Sequence, residues 1–212
     1  MLDALIFSKT PALLTAIYPE CLWKVKTTEK VLYLTFDDGP IPEVTPLVLD
    51  ILTKWHAKTT FFCIGKNIEA NPEVFKQVVA GGHAVANHTY NHVNGWQTTE
   101  DAYYTDIRGC NETLRKQEVE TSFFRPPYGK LKPSQYNYLR TRHTIVMWDV
   151  LSYDFDLKVD KETVLNNVLK NAEPGSIVVF HDSLKAKDKM LYALPLVLEH
   201  FSKQGFKFEA LC

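Results

Sequence analysis

Asp37 and Asp38 stand side by side in Thr35-Phe36-Asp37-Asp38-Gly39-Pro40, directly after the apolar run Val31-Leu32-Tyr33-Leu34. Side chains alternate along an extended backbone, so the two carboxylates must face different ways. One can bind a metal while its neighbour reaches elsewhere, for instance toward the metal's water. As an isolated motif, the pair is equally a polar turn that Gly39-Pro40 closes. His88-Thr89-Tyr90-Asn91-His92 puts two imidazoles at i and i+4. On a helical turn they would share one face, as two ligands of one metal do. With seven histidines in the chain, a chance surface pair is the competing reading. Two histidines and one aspartate make a three-ligand set with open positions, the catalytic rather than the structural zinc pattern. Such a metal polarises a carbonyl and acidifies a bound water.

Arg125 precedes Pro126-Pro127-Tyr128-Gly129, a rigid, kinked segment able to hold a guanidinium against a carboxylate, with arginine suited to bidentate pairing. A structural salt bridge is the alternative. Neither proline has an N–H, so the backbone N–H of Tyr128 is free to point at a ligand. Trp148-Asp149 and Ser152-Tyr153-Asp154-Phe155 offer acids and apolar walls. No glycine-rich elbow surrounds Ser152, which is expected to bond the loop backbone. His181 ends the apolar run Ile177 to Phe180. An imidazole, with an ordinary pKa of ~6.5, suits a general acid there, or merely caps the strand with a hydrogen bond.

These residues need elements to position them. Strands are expected at residues 31–37, 59–64, 83–87, 122–124, 144–148, 177–180 and 206–210, from short apolar runs bounded by turn residues. Helices are expected at about 44–56, from Pro72 to Gly81-Gly82, from Thr98-Thr99 to Lys116, 133–142, from an Asp160 cap to Pro174-Gly175, and 188–203. This succession predicts an α/β domain, a parallel sheet covered by helices and closed like the eight-fold barrel. Continuous apolar strands agree, because both faces of a parallel sheet are buried. Asp37-Asp38, His88, Arg125, Asp149 and His181 all fall just past a strand's C-terminal end, the rim where such folds assemble active sites. Residues 1–30 read as an N-terminal arm with a short helix and an edge strand, Cys21 to Val25, pairing with the run that follows.

Composition narrows the partners. A formal charge of −1 gives no reason to expect nucleic acid or an anionic membrane. Four cysteines lie far apart without a CxxC pair, which fits neither a zinc knuckle nor a disulfide framework. No apolar run reaches the ~18 residues that span a bilayer. Met1 to Lys9 carries an acid where a signal peptide has bases, so no secretory signal is expected and the compartment stays open.

Five stretches, in this order, resemble the polysaccharide deacetylase family (the NodB-homology domain, carbohydrate esterase family 4). They are Thr35 to Pro40, His88 to His92, Arg125-Pro126-Pro127-Tyr128, Asp149 to Phe155, and Ile177 to Asp182. The resemblance covers roughly residues 31–212 as one catalytic domain and implies a distorted (β/α)7 barrel of TIM-barrel type. It implies one divalent metal, zinc with cobalt or nickel as alternatives, held by Asp38, His88 and His92. It makes Asp37 the base and His181 the acid, with Arg125 orienting the base and Asp154 tuning the histidine. Tyr128 offers its N–H to the oxyanion, and Pro127, Trp148 and Phe155 line the substrate. Two departures bear on substrate: Phe155 stands where relatives usually have Trp, and Gly82-His83-Ala84-Val85-Ala86-Asn87 lacks the Glu and Gly that relatives often show. The expected activity is metal-dependent removal of N-acetyl groups from an amino-sugar polymer or oligomer, peptidoglycan or chitin-like, by a monomer. O-acetyl ester removal, as on xylan, and a sugar-binding protein without catalysis are the other readings.

Overall fold

The computed structural model describes residues 7–212. After a short helix α1 (Ala12–Ile17), the chain alternates strand and helix: β1 (Val31–Asp37), α2 (Thr45–Lys54), β2 (Thr60–Cys63), α3 (Gly65–Ala70), α4 (Pro72–Ala80) and β3 (Ala84–Asn87). It continues through α5 (Glu100–Lys116), β4 (Phe123–Phe124), a 3-10 turn (Pro127–Gly129), α6 (Pro133–Leu139), β5 (Thr144–Ile145) and β6 (Val150–Leu151). Helix α7 (Lys161–Asn171), β7 (Ile177–His181), α8 (Lys187–Lys203) and β8 (Lys207–Phe208) complete it. The sheet order is β5-β4-β3-β2-β1-β7-β6, parallel throughout, with β8 paired to the start of β1. It is a single α/β domain, a distorted (β/α)7 barrel.

The distortion lies where one long strand was expected at 144–148. Thr144–Ile145 pairs with β4, but Val150–Leu151 pairs with β7. One stretch therefore leaves one end of the sheet and joins the other, and Val146 to Asp149 carry the chain across the gap. The N-terminal segment fills it. Leu22 bridges to Val146, Lys24 to Ser176 and Lys9 to Val150. The edge strand expected at Cys21–Val25 is reduced to isolated bridges with these late segments and does not pair with the run that follows it, because β1 already has β2 and β7 on its two sides.

Period-two alternation separates the two faces of β1. Leu32, Leu34 and Phe36 point outward into the main helix-covered core, where Phe36 stacks on Phe61 and Phe180 at centroid distances of 5.1 and 6.1 Å. Truncating such a ring costs about 3–5 kcal/mol. Tyr33, Thr35 and Asp37 alternate with them, and Tyr33 packs with the interior cluster of Phe62, Ala86, Val146 and Ile177. Cys63 is buried as a small apolar side chain, and no disulfide joins the four cysteines.

Most helices lie where the apolar spacing predicts. Asp160 caps α7 as expected, accepting from Thr163 N at 2.7 Å. Thr99 makes no side-chain cap to α5, and Asn71 none to α4. The Asn71 amide instead donates to Pro40 O at 3.2 Å, tying α4 to the loop after β1. Helix α3 was not foreseen. Six residues are too few for a period to show, and its first residue is a glycine because a Cβ there would lie 2.6 Å from the Tyr90 ring.

Candidate active site

Asp37 ends β1 pointing inward, and Asp38 follows with φ at 84°, a left-handed conformation that turns its carboxylate away from its neighbour's. Asp37 is 4 % exposed. Arg125, wholly buried at the end of β4, donates from Nη1 to Asp37 Oδ1 at 2.6 Å and to Thr35 Oγ1 at 2.8 Å. The guanidinium does not grip the carboxylate with a fork. Its Nε and Nη2 donate to the carbonyls of Val146 and Met147 at 3.2 and 2.9 Å, and its Cζ lies 4.0 Å from the centre of the Phe62 ring. Those carbonyls belong to the segment that crosses the gap, so barrel closure positions Arg125, and Arg125 positions Asp37. Burial pushes the Asp37 carboxyl up, but the charges of Arg125, His88 and His181 outweigh it and leave the pKa below the ordinary carboxylate value.

His88 and His92 converge without a helix. They sit on an irregular loop after β3, with φ of 63° at Thr89 and 58° at His92. Left-handed backbone, not a helical turn, brings the two imidazoles together, held where Asn87 Oδ1 accepts from Thr89 N at 2.7 Å. His88 Nδ1 lies 2.8 Å from Arg125 O, which assigns the proton to Nδ1 and leaves Nε2 as a free acceptor. Burial, with the neighbouring His92 against it and the carboxylates of Asp37 and Asp38 partly offsetting, lowers the His88 pKa to about 4. His88 is thus neutral at pH 7, the ligand form. His92 Nε2 and His88 Nε2 lie 3.3 and 3.8 Å from Asp38 Oδ1. One ligand atom from each of the three residues falls within 4.8 Å of the others, and Asp38 Oδ1 is buried without a hydrogen-bond partner. An orphaned carboxylate oxygen facing two imidazole lone pairs suits a divalent cation of the zinc class.

On the opposite side, His181 ends β7. Its Nδ1 lies 2.7 Å from Asp154 Oδ1, and its backbone N donates to Asp154 Oδ2 at 2.8 Å. Asp154 is fully buried. Burial lowers the His181 pKa, yet the charge and hydrogen bond of Asp154, with smaller contributions from Asp38 and Asp37, raise it to about 9. Phe155 packs edge-on against the imidazole, with ring centroids 4.8 Å apart.

Asp37, Asp38, His88, His92, Tyr128, Trp148, Phe155 and His181 line one cavity of about 380 Å³. Both prolines are buried, and it is Pro126, not Pro127, that reaches the cavity. Asp149 turns away: it accepts from Lys9 Nζ at 2.8 Å and from Ser176 Oγ, so it anchors the N-terminal segment. Ser152 Oγ accepts from Asp154 N at 3.3 Å, the backbone bond expected of it. Tyr128 has φ 61°, and the bonds of its turn, from Gly129 N to Pro126 O and from Lys130 N to Pro127 O, do not use its N–H.

Several supporting contacts carry no sequence signal. The Tyr128 hydroxyl lies 3.1 Å from His92 Nδ1. Asn67 donates to Asp38 O at 2.7 Å. Asp182, fully buried, accepts from Gly39 N at 3.0 Å and Thr45 Oγ1 at 2.6 Å, and fills the space a Cβ on residue 39 would need. Burial pushes its carboxyl up to about 7. Among the described residues, five of the seven non-glycine residues with positive φ belong to this region: Asp38, Thr89, His92, Tyr128 and Tyr153. Backbone strain of this kind gathers where side chains must be aimed.

A buried carboxylate with a lowered pKa, an imidazole with a raised one and an Asp–His–His cluster that could hold a metal ion gather at the C-terminal mouth of a parallel barrel, an arrangement suited to hydrolysis. The family model for polysaccharide deacetylase matches residues 24–143. A peptidoglycan-N-acetylglucosamine deacetylase of Bacillus cereus is 35% identical over 188 residues, 88% of this chain and 88% of that protein. A second Bacillus cereus protein of the same name is 40% identical over 181 residues, 84% of this chain and 66% of its own length. The crystal structure of the Bc1960 peptidoglycan N-acetylglucosamine deacetylase superposes with a TM-score of 0.87 at 32% identity, over 95% of each chain. The chain belongs to the polysaccharide deacetylase family, carbohydrate esterase family 4, and is a deacetylase acting on carbohydrate. No helix among the described residues is long and apolar enough to cross a membrane.

Proposed function

We propose that this deacetylase removes N-acetyl groups from the N-acetylglucosamine of a peptidoglycan-type glycan, and that it does so with one divalent metal ion. The observation that carries this reading is the pair of oppositely polarised ion pairs, Asp37–Arg125 and His181–Asp154, on either side of Asp38, His88 and His92. Those three residues would hold the ion, which supplies Lewis acidity for the acetamide carbonyl and the attacking water. Asp37, kept ionised by Arg125, accepts the proton of that water as it attacks the acetyl carbon. The N–H of Tyr128 donates to the developing oxyanion, a contribution of about 3–4 kcal/mol in comparable sites. His181, protonated up to about pH 9, gives its proton to the departing amine, so that acetate and a free amino sugar result. Need for that proton favours the amide over an ester, whose alkoxide leaves more readily. The names of the two Bacillus cereus relatives favour peptidoglycan over chitin.

The test is acetate release from peptidoglycan and from chitooligosaccharides by metal-stripped protein, with zinc, cobalt or nickel restored. Restored metal should return activity. Turnover indifferent to stripping would overturn the metal-dependent reading, and an acetylxylan preference the amide one.

A further inference from the structure

His88 and His92 are joined by irregular backbone, in which Thr89 and His92 take left-handed φ values that residues with a Cβ disfavour. Such backbone persists only where its surroundings over-determine it. The convergence of the two imidazoles on Asp38 therefore needs partners outside the loop. Asn87, which takes Thr89 N, is fixed in turn by donating from Nδ2 to Ile107 O at 2.8 Å and to Asn111 Oδ1 at 2.7 Å. The carbonyls of Thr89 and Tyr90 accept from Gly65 N and Lys66 N, both at 3.0 Å, at the start of α3.

The amides in the middle of the loop fall to one side chain. Asp106, on α5, accepts through Oδ1 from Tyr90 N at 2.7 Å and from Asn91 N at 2.8 Å, and through Oδ2 from Asn91 Nδ2 at 2.7 Å. Tyr90 N also lies 3.2 Å from Asp106 O, whereas Asn91 N has no other acceptor among the described residues. One oxygen shared by two successive amides fixes the peptide planes that aim His92. Tyr90 itself turns toward α3 and α5. Its hydroxyl donates to Glu69 Oε2 at 2.6 Å, and Gly65 and Gly109 leave room for it, since Cβ atoms there would lie 2.6 and 3.5 Å from its side chain. Asp106 does not line the catalytic cavity, so whatever it does for the site it does through the loop.

We propose that Asp106 is a positioning residue for the cluster of Asp38, His88 and His92: its hydrogen bonds to Tyr90 and Asn91 hold the loop so that both Nε2 atoms face Asp38 Oδ1, and so set how tightly the three residues hold an ion. The inference rests on the metal-dependent reading above. It gives α5, which contributes no side chain to the catalytic cavity, a direct share in the metal centre.

Asp106→Ala removes all three side-chain bonds, and alanine suits the half-buried helical position, so the variant should fold. Asp106→Asn keeps an oxygen for the two backbone amides and lets the Asn91 amide turn over to pair with the new one. In chelator competition, zinc affinity should fall about ten- to one-hundred-fold in Asp106→Ala and stay within about three-fold of the parent in Asp106→Asn. The d–d bands of cobalt-loaded protein should shift in Asp106→Ala and coincide with the parent's in Asp106→Asn. In metal-free protein, amide exchange at Tyr90 and Asn91 should quicken about ten-fold or more in Asp106→Ala, with Leu114 on the same helix unchanged. Asp106→Ser, too short to reach both amides, replaces Asp106→Ala if that variant does not fold. A lowered urea midpoint with zinc affinity, cobalt bands and loop exchange all unmoved would overturn the inference, because Asp106 would then only stabilise the fold. Equal losses in Asp106→Ala and Asp106→Asn would also overturn it, since charge and not the hydrogen bonds would be at work. A parent that binds no zinc would instead sink the metal-dependent reading, and exchange in the metal-free protein would still decide whether Asp106 holds the loop.

Discussion

Asp37–Arg125 and Asp154–His181 are two short, buried ion pairs with opposite outcomes. In the first, at 2.6 Å, the cation is the fully buried partner and the carboxylate faces the cavity; in the second, at 2.7 Å, the carboxylate is fully buried and the imidazole faces out. Which partner lies deeper decides what the cavity sees. Arg125 is bound on its far side by two carbonyls and a hydroxyl, so its charge cannot leave, and Asp37 is held below the ordinary carboxylate range. Asp154 cannot leave either, and His181 is lifted to about 9. The same physics thus presents an acceptor on one side and a donor on the other across a broad span of neutral pH.

The largest break expected in this comparison is Asp37→Asn, which keeps the shape and removes the acceptor. It should lower kcat by about 10³-fold or more while bound metal stays near one per chain. Lost metal with retained turnover would exchange the roles of Asp37 and Asp38. Arg125→Met should come next, because it strands a buried carboxylate. We expect a loss of about 3–5 kcal/mol in urea unfolding, with the acidic limb of the pH–rate profile moved upward.

Asp154→Asn attacks the other pair. In the proposed mechanism His181 acts in its protonated form, so wild-type kcat/KM should fall as pH rises through about 9, and in the variant that fall should begin near the ordinary histidine value of ~6.5. The raised pKa also means that the pair stabilises the fold fully below ~6.5 and loses that contribution by about 9, a slope the variant should lack. An alkaline limb unmoved by Asp154→Asn would remove His181 as the acid. Tyr128→Phe should be the mildest. It takes the hydroxyl from His92 Nδ1, and zinc affinity should drop about ten-fold in chelator competition without moving either pH limb.

Much of this centre could be read before the fold was known, because the signals are local. An apolar run of Leu32, Leu34 and Phe36 that stops at a carboxylate announces a buried strand with a polar rim, and Ile177 to His181 repeats the pattern. The supporting contacts were hidden because their partners are distant in the chain. Asp182 meets Gly39 and Thr45. Tyr128 meets His92, and Arg125 meets the carbonyls of residues 146 and 147. How His88 and His92 converge was hidden for a related reason. Spacing of four is compatible with a helical face, but convergence on Asp38 is reached here through left-handed backbone at Thr89 and His92.

By itself the chain determined that two carboxylates, Asp37 and Asp38, end an apolar strand, since the run from Val31 and the Gly39-Pro40 break are local signals. Tertiary structure decided which of them meets Arg125. That choice depends on which face of β1 lies inside, and the inside exists only because residues 144–151 leave β4, cross with the N-terminal segment beside them, and join β7.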